Sequence, residues 1–138
     1  MLVHGTCVAL GRSGVLIRGP SGSGKSDLAL RLIDEGASLV SDDQVALAPV
    51  GGRLTASAPP NIAGLIEVRG IGIVSVPRVA ETPVSLVVDL VPRADVPRMP
   101  DPRTVEIAGA DVPALSLWPF EASAPVKVRL ALKALEDR

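Results

Sequence analysis

The chain has 138 residues, 47% of them apolar and 21% charged, with a formal net charge of −1, a single cysteine and a single histidine. That length suits one domain with a core of its own. The near-neutral charge and the presence of only two aromatics, Trp118 and Phe120, argue against a nucleic-acid surface, and the lone Cys7 excludes an internal disulfide or a structural zinc cluster.

No stretch approaches the ~18 unbroken apolar residues of a membrane span. The opening Met1-Leu2-Val3-His4-Gly5 lacks the basic and then apolar pattern of a signal peptide, so the expected compartment is the cytoplasm.

In chain order, segments 3–10 and 15–18 are apolar runs around Gly11-Arg12-Ser13-Gly14, which reads as a β-hairpin. Segment 19–24 is rich in glycine. Segment 25–35 places Leu28, Leu32 and Ile33 at helical spacing, with Gly36 as its stop. Segment 38–42 is an apolar strand ending in Asp42 and Asp43. Segments 44–49 and 53–56 flank Gly51-Gly52 as a second hairpin, and Ala58-Pro59-Pro60 breaks the chain. Segment 65–76 is apolar but punctuated by Glu67, Arg69, Gly70 and Gly72. Segment 84–90 is the cleanest buried strand. Segment 92–103 carries four prolines and no apolar period, so it reads as a loop, a length at which loops are often functional. Segments 104–107 and 114–118 are candidate short strands, and 126–136 a terminal helix. One helix before the last, against about eight strands, is strand-heavy for a nucleotide kinase.

Gly19-Pro20-Ser21-Gly22-Ser23-Gly24-Lys25-Ser26 fits the phosphate-binding pattern G-x-x-x-x-G-K-[ST] without deviation. The glycines let backbone N–H groups turn inward as an anion nest, and the helix beginning near Lys25 adds its positive end. Lys25 suits the β- and γ-phosphates, and the Ser26 hydroxyl suits Mg²⁺. A strand before the motif and an amphipathic helix after it complete the context. Nucleotide binding follows, but not a reaction.

Asp42 and Asp43 arrive only 17 residues after Lys25, at the end of a strand. Adjacent aspartates there can divide two tasks, one holding metal and the other taking a proton from a hydroxyl; they also fit an ordinary solvated turn. Three readings stay open at this point. One is a protein kinase. Another is a small-molecule kinase, for which only Arg93, Arg98 and Arg103 in one loop could act as lid arginines. The third is a non-catalytic nucleotide sensor, against which intact Lys25, Ser26 and Asp42 speak.

These residues resemble the catalytic domain of HPr kinase/phosphorylase over nearly the whole chain. His4-Gly5 precedes the first hairpin, and Gly14-Val15-Leu16-Ile17-Arg18-Gly19 leads into the glycine loop in the family's manner. Leu39-Val40-Ser41-Asp42-Asp43 is similar to the family's Leu-Val-Ala-Asp-Asp. Ala58-Pro59-Pro60 followed by Leu65-Ile66-Glu67-Val68-Arg69-Gly70-Ile71-Gly72-Ile73 is similar to its signature segment, and Pro125-Val126-Lys127-Val128 to a late Pro-Val-Lys-Val. The signature together with Asp-Asp at this spacing is far more specific than the glycine loop.

The resemblance implies a strand-rich α/β fold with few helices, a P-loop kinase of the phosphoenolpyruvate carboxykinase-like type. It implies ATP and Mg²⁺ as cofactors, and as partner HPr, the small phosphocarrier protein of the sugar phosphotransferase system. The family phosphorylates a serine of HPr, removes the phosphate by phosphorolysis with release of pyrophosphate, and assembles as hexamers. By position, Asp42 matches the catalytic acid/base, Asp43 and Glu67 match acidic residues at the metal beside Ser26, and His4 matches a histidine near the transferring phosphate. Arg98 matches an active-site arginine in the proline-rich loop. The chain departs from larger members in lacking their N-terminal domain and the helical segment beyond Arg138. It is therefore expected to be a single catalytic domain over 1–138, the short bacterial form.

The remaining residues have bland expectations. Gly70 and Gly72 suit tight packing or a bulge, Arg69 a pair with Glu67, Cys7 a small buried apolar site, and Trp118 with Phe120 the core. Lys127 and Arg129 suit solvated helix charges.

Overall fold

The structure, a computed structural model, describes residues 1–137. The first apolar run breaks at Gly5 into β1 (Leu2–His4) and β2 (Thr6–Leu10), which pair with different strands. The chain runs close to its neighbour at this break: a side chain at Gly5 would lie 3.0 Å from the Ile17 carbonyl oxygen, on the facing β3 (Ser13–Arg18). The glycine loop follows, then α1 (Lys25–Asp34), which Gly36 closes at φ +110° as expected of a helix stop. Next come β4 (Ser38–Ser41) and the hairpin β5 (Gln44–Val50) and β6 (Arg53–Ser57).

Segment 65–76 is not one strand. It folds as a separate hairpin of β7 (Leu65–Val68) and β8 (Gly72–Ser75), turning at Arg69-Gly70-Ile71. Gly70 and Gly72 sit at φ +91° and +116° with open space around them, so backbone conformation and not close packing demands glycine there. β9 (Glu81–Leu90) starts three residues earlier than expected. β10 (Arg103–Ile107) and β11 (Ala110–Leu117) form another hairpin, and α2 (Ala124–Glu136) ends the described chain. Among the described residues no helix is long and apolar enough to cross a membrane.

The main sheet runs β1-β5-β6-β9-β3-β2-β4, with β9 and β3 parallel at its centre. β9 is long enough to take β6 at Glu81–Pro83 and β11 at Val87–Leu90. Each face carries its own core. Val8, Val15, Ile17 and Val88 pack under Leu28 and Leu32 of α1 and Val128 and Leu132 of α2. Cys7, Leu16 and Val87 face the other way, against Val45, Leu47, Leu54, Ile107 and Val112. Strands covered on both sides read as unbroken apolar runs, which is why β3 and β9 stand out in the sequence.

The register slips at the start of β9, because Gly14 pairs with Val84 but Val15 with Leu86. The extra residue, Ser85, is a bulge, and it sends Val84 and Leu86 into opposite cores. Gly14 lets β9 come this close. A Cβ there would lie 2.5 Å from the Pro83 carbonyl oxygen and 2.6 Å from Thr82 Cγ2.

The parallel pair ends in a knot of charge. Asp89 accepts hydrogen bonds from Arg18 Nε at 2.7 Å and Arg18 Nη2 at 3.1 Å, and from Arg103 Nη2 at 3.2 Å. Burial pushes the Asp89 carboxyl up, but the hydrogen bonds and charge of Arg18, then those of Arg103, outweigh it and hold Asp89 below the usual carboxylate range. The knot fixes the residue immediately before the glycine loop, at the carboxyl ends of the parallel strands, where open α/β sheets bind ligands.

Candidate active site

The glycine loop turns sharply out of β3. Gly19 has no room for a side chain, since a Cβ would lie 2.5 Å from Ser23 Oγ and 3.2 Å from Leu90 Cβ. Gly22 and Gly24 take φ +80° and +101°, which L-residues rarely adopt, and the Ser23 N–H closes onto Pro20 O at 3.0 Å. Gly24 caps α1, and its carbonyl accepts from the Leu28 N–H at 3.0 Å, so the N–H groups of the first helical turn, residues 25–27, remain for an anion.

Above this loop lies a cleft of about 590 Å³. His4, Ser21, Gly22, Gly24, Lys25, Ser26, Asp43 and Glu67 all line it, so residues far apart in sequence converge as the motifs implied. Lys25 is only 7% exposed and donates to Gly19 O at 2.8 Å and Pro20 O at 3.0 Å. Burial pushes its ammonium below the usual lysine range, opposed by the charges of Asp43 and Asp42.

Asp42 is buried behind Ser26 and Thr6, which line the cleft, and does not itself line it. Its Oδ1 accepts from Ser26 Oγ at 2.6 Å and from Thr6 Oγ1 at 2.9 Å, and its Oδ2 from the Glu67 backbone N–H at 3.3 Å. Asp43 lies beside it at φ +70°, a left-handed conformation aspartate tolerates, and its exposed carboxylate stands 3.4 Å from His4 Nδ1. The two aspartates thus differ sharply in setting. One is buried and triply bonded, the other faces water with the histidine.

The oxygen donors of Ser26, Asp42, Asp43 and Glu67 suit a hard cation such as Mg²⁺. Among the described residues no group of three or more acidic, His or Cys side chains could cage a metal alone. That fits Mg²⁺, which keeps several waters and takes only one or two carboxylates alongside substrate phosphates.

Other expectations fare differently. Arg98 is exposed and does not line the cleft. Arg69 lines it but forms no ion pair with Glu67 among the described residues. Lys127 pairs with Glu121 and Arg129 with Glu35, both as surface pairs. Cys7 is fully buried, and burial pushes its thiol up to about 12, as suits an inert core residue. Phe120 overturns its core expectation. It is 56% exposed and lines the cleft, while Trp118 is half-buried beneath the Arg93 guanidinium, which lies 5.4 Å from the ring centroid. Sequence reading missed Thr6 altogether. Its one signal was a polar residue in a buried run, two positions after His4 and so on the same side of an extended chain.

Residues 1–118 match the model of the HPr serine kinase C-terminal domain family. The chain belongs to that family. An HPr kinase/phosphorylase of Clostridium tetani is 47% identical over 75 residues, covering 54% of this chain and 25% of the relative. The Clostridium beijerinckii protein of the same name is 45% identical over 74 residues, covering 54% of this chain and 24% of the relative. The chain therefore spans about a quarter of the length of these curated relatives. The solved HPr(Ser) kinase/phosphatase of Coxiella burnetii superposes with a TM-score of 0.87 at 31% identity, covering 99% of this chain and 96% of that one. The strand-rich α/β fold with two helices is the fold of this family.

Proposed function

We propose that the chain is an ATP-dependent protein-serine kinase domain that phosphorylates HPr and, through the same site, dephosphorylates it by phosphorolysis. The observation that carries this reading is the 2.6 Å contact between Ser26 Oγ and Asp42 Oδ1 at the mouth of the glycine loop. It brings the hydroxyl suited to the nucleotide's metal to the carboxylate suited to the acceptor's proton.

The phosphates of ATP lie along the N–H groups of Gly22 and of residues 24–26, the Ser23 N–H being taken by Pro20 O. Lys25 exchanges its bonds to Gly19 O and Pro20 O for charge-assisted bonds to phosphate oxygens, which are stronger. When bound, Mg²⁺ would be held by Ser26 and the carboxylates of Asp43 and Glu67 and would supply neutralisation of phosphate charge. Asp42 orients the serine hydroxyl of HPr and takes its proton as the serine oxygen bonds to the γ-phosphorus and the bond to ADP breaks. In the reverse reaction an oxygen of inorganic phosphate bonds to the phosphoserine phosphorus. The bond to the serine oxygen breaks, Asp42 returns the proton to that oxygen, and pyrophosphate leaves. His4, half-exposed beside Asp43, is placed to pass protons to water. Positioning and fixed charge supply most of the rate. By family resemblance the working unit is a homo-oligomer, up to a hexamer, located with HPr in the cytoplasm.

The test incubates the purified chain with γ-labelled ATP and Mg²⁺, with and without purified HPr. Label on an HPr serine is the expected result. ATP binding with no transfer would replace this reading by a nucleotide sensor, and transfer to small molecules alone by a metabolite kinase.

A further inference from the structure

Phe120 is a large apolar side chain kept in water at the rim of a phosphate-binding cleft. It is also held rigidly. Its ring lies so near Gly24 that a Cβ there would be 3.0 Å from Cζ and 3.1 Å from Cε1. Trp118 meets it edge-on, with centroids 6.1 Å apart and planes at 77°. The buried Pro119 precedes it. Arg31 of α1 straps the segment down by donating to the carbonyls of Pro119 and Glu121, and Asp27 braces Arg31 at 2.9 Å. An exposed ring fixed in this way loses little conformational entropy when something stacks on it.

Its place in the cleft indicates what that something is. His4 and Asp43, which stand together next to Asp42 at the reacting end, are carried by β1 and by the turn between β4 and β5. Phe120 instead packs on the glycine loop and is tied to α1, whose Asp27 and Leu30 share the cleft. A phosphate chain lying on the glycine loop has two ends. The reacting end belongs with Asp42 and Asp43, so the other end leads toward Phe120.

We propose that Phe120 is the stacking platform for the nucleobase of the bound nucleotide; this rests on the nucleotide-binding reading above. Leu30 adds apolar surface to the same cleft, and the Asp27 carboxylate is already engaged by Arg31. Recognition is then of the base's π-face, which every nucleobase has.

The test is calorimetric titration of the chain and of Phe120→Leu and Phe120→Trp with Mg²⁺–ATP and with Mg²⁺–tripolyphosphate, beside their melting temperatures. Base–aromatic stacking predicts that Phe120→Leu weakens ATP binding about tenfold. Tripolyphosphate binding should stay within about twofold, and Phe120→Trp should keep ATP affinity, because tryptophan also stacks. Equal weakening of both ligands would make Phe120 a mere buttress of Gly24 and overturn the proposal. Unchanged ATP affinity in Phe120→Leu, with the parent chain binding both ligands, would overturn the base platform alone. A parent chain that binds neither ligand would overturn the nucleotide reading and the platform with it.

Discussion

Asp42→Asn separates the chemical role of the buried carboxylate from its structural one. Asparagine keeps the size, but it replaces two equivalent acceptor oxygens by one oxygen and one NH₂. The Glu67 backbone N–H, 3.3 Å from Oδ2, can only donate, whereas the Ser26 and Thr6 hydroxyls can rotate to accept. The amide oxygen therefore turns to Glu67 and the NH₂ faces both hydroxyls. Three bonds to a charge become three neutral ones, and hydrogen bonds to charged groups are worth about 1 kcal/mol more each. Relief of carboxylate burial offsets part of this, leaving a net loss of about 1–2 kcal/mol, or roughly 4–8 °C in melting temperature for a chain of this size. Loss of a positioned base lowers transfer about 10²-fold or more in both directions. Single-turnover transfer to HPr, beside an equilibrium ATP titration, reads the chemistry, and a thermal melt reads the fold. ATP affinity should hold while transfer collapses. Weakened Mg²⁺-dependent ATP binding, rescued by excess Mg²⁺, would reassign Asp42 to the metal. Unchanged turnover in both directions would refute the reasoning.

Two further predictions concern the scaffold under the loop. Gly14→Ala drives a methyl group into the Pro83 carbonyl, at the bulge where β9 closes on β3. It should cost about 1–3 kcal/mol by denaturant unfolding, and a variant as stable as the parent would show that the bulge relaxes freely. Asp89→Asn removes the carboxylate that Arg18 and Arg103 share and should cost about 1–2 kcal/mol at pH 7, between the values for exposed and buried pairs. Because the folded carboxyl is held below its ordinary 3.8, that contribution is full above this value and is lost as pH falls through the folded pKa. Urea unfolding of parent and variant should therefore differ at pH 7 and converge as the pH falls through the folded pKa, below the ordinary 3.8. A gap that widens on acidification would contradict the assignment.

Features with local causes were legible in the sequence. The glycine loop, α1 with its Gly36 stop, and the doubly covered strands β3 and β9 announce themselves by residue type and period within a short window. Most of the site followed from them, because a strand, a tight loop and a helix fix where Lys25 and Ser26 stand. Contacts across long stretches of chain were not legible. The close approach at Gly5 is to the Ile17 carbonyl on another strand, and no neighbour of Gly5 in sequence signals it. The parallel pairing of Arg18 with Asp89 joins segments 71 residues apart and sets the charge knot. Arg98 was placed by resemblance alone, in a stretch whose prolines give no period, and it stays outside the cleft. Phe120 shows the limit of reading residue type. Apolar character points inward, and only the strap from Arg31 and the contact with Gly24 reveal a ring kept outside.

The central claim is that the loop Gly19–Ser26 and the carboxylate behind it carry phosphoryl transfer to a protein serine. Lys25→Ala tests it most directly. Among the described residues the Lys25 ammonium bonds only carbonyls of its own loop, so its removal should leave the fold within about 1 kcal/mol of the parent. The measurement is the initial rate of label transfer from γ-labelled ATP to the HPr serine, with parent and variant matched by thermal melt. The account predicts loss of transfer by about 10²-fold or more in a variant that melts normally. A normally folded Lys25→Ala chain that labels HPr at near the parent's rate would contradict it.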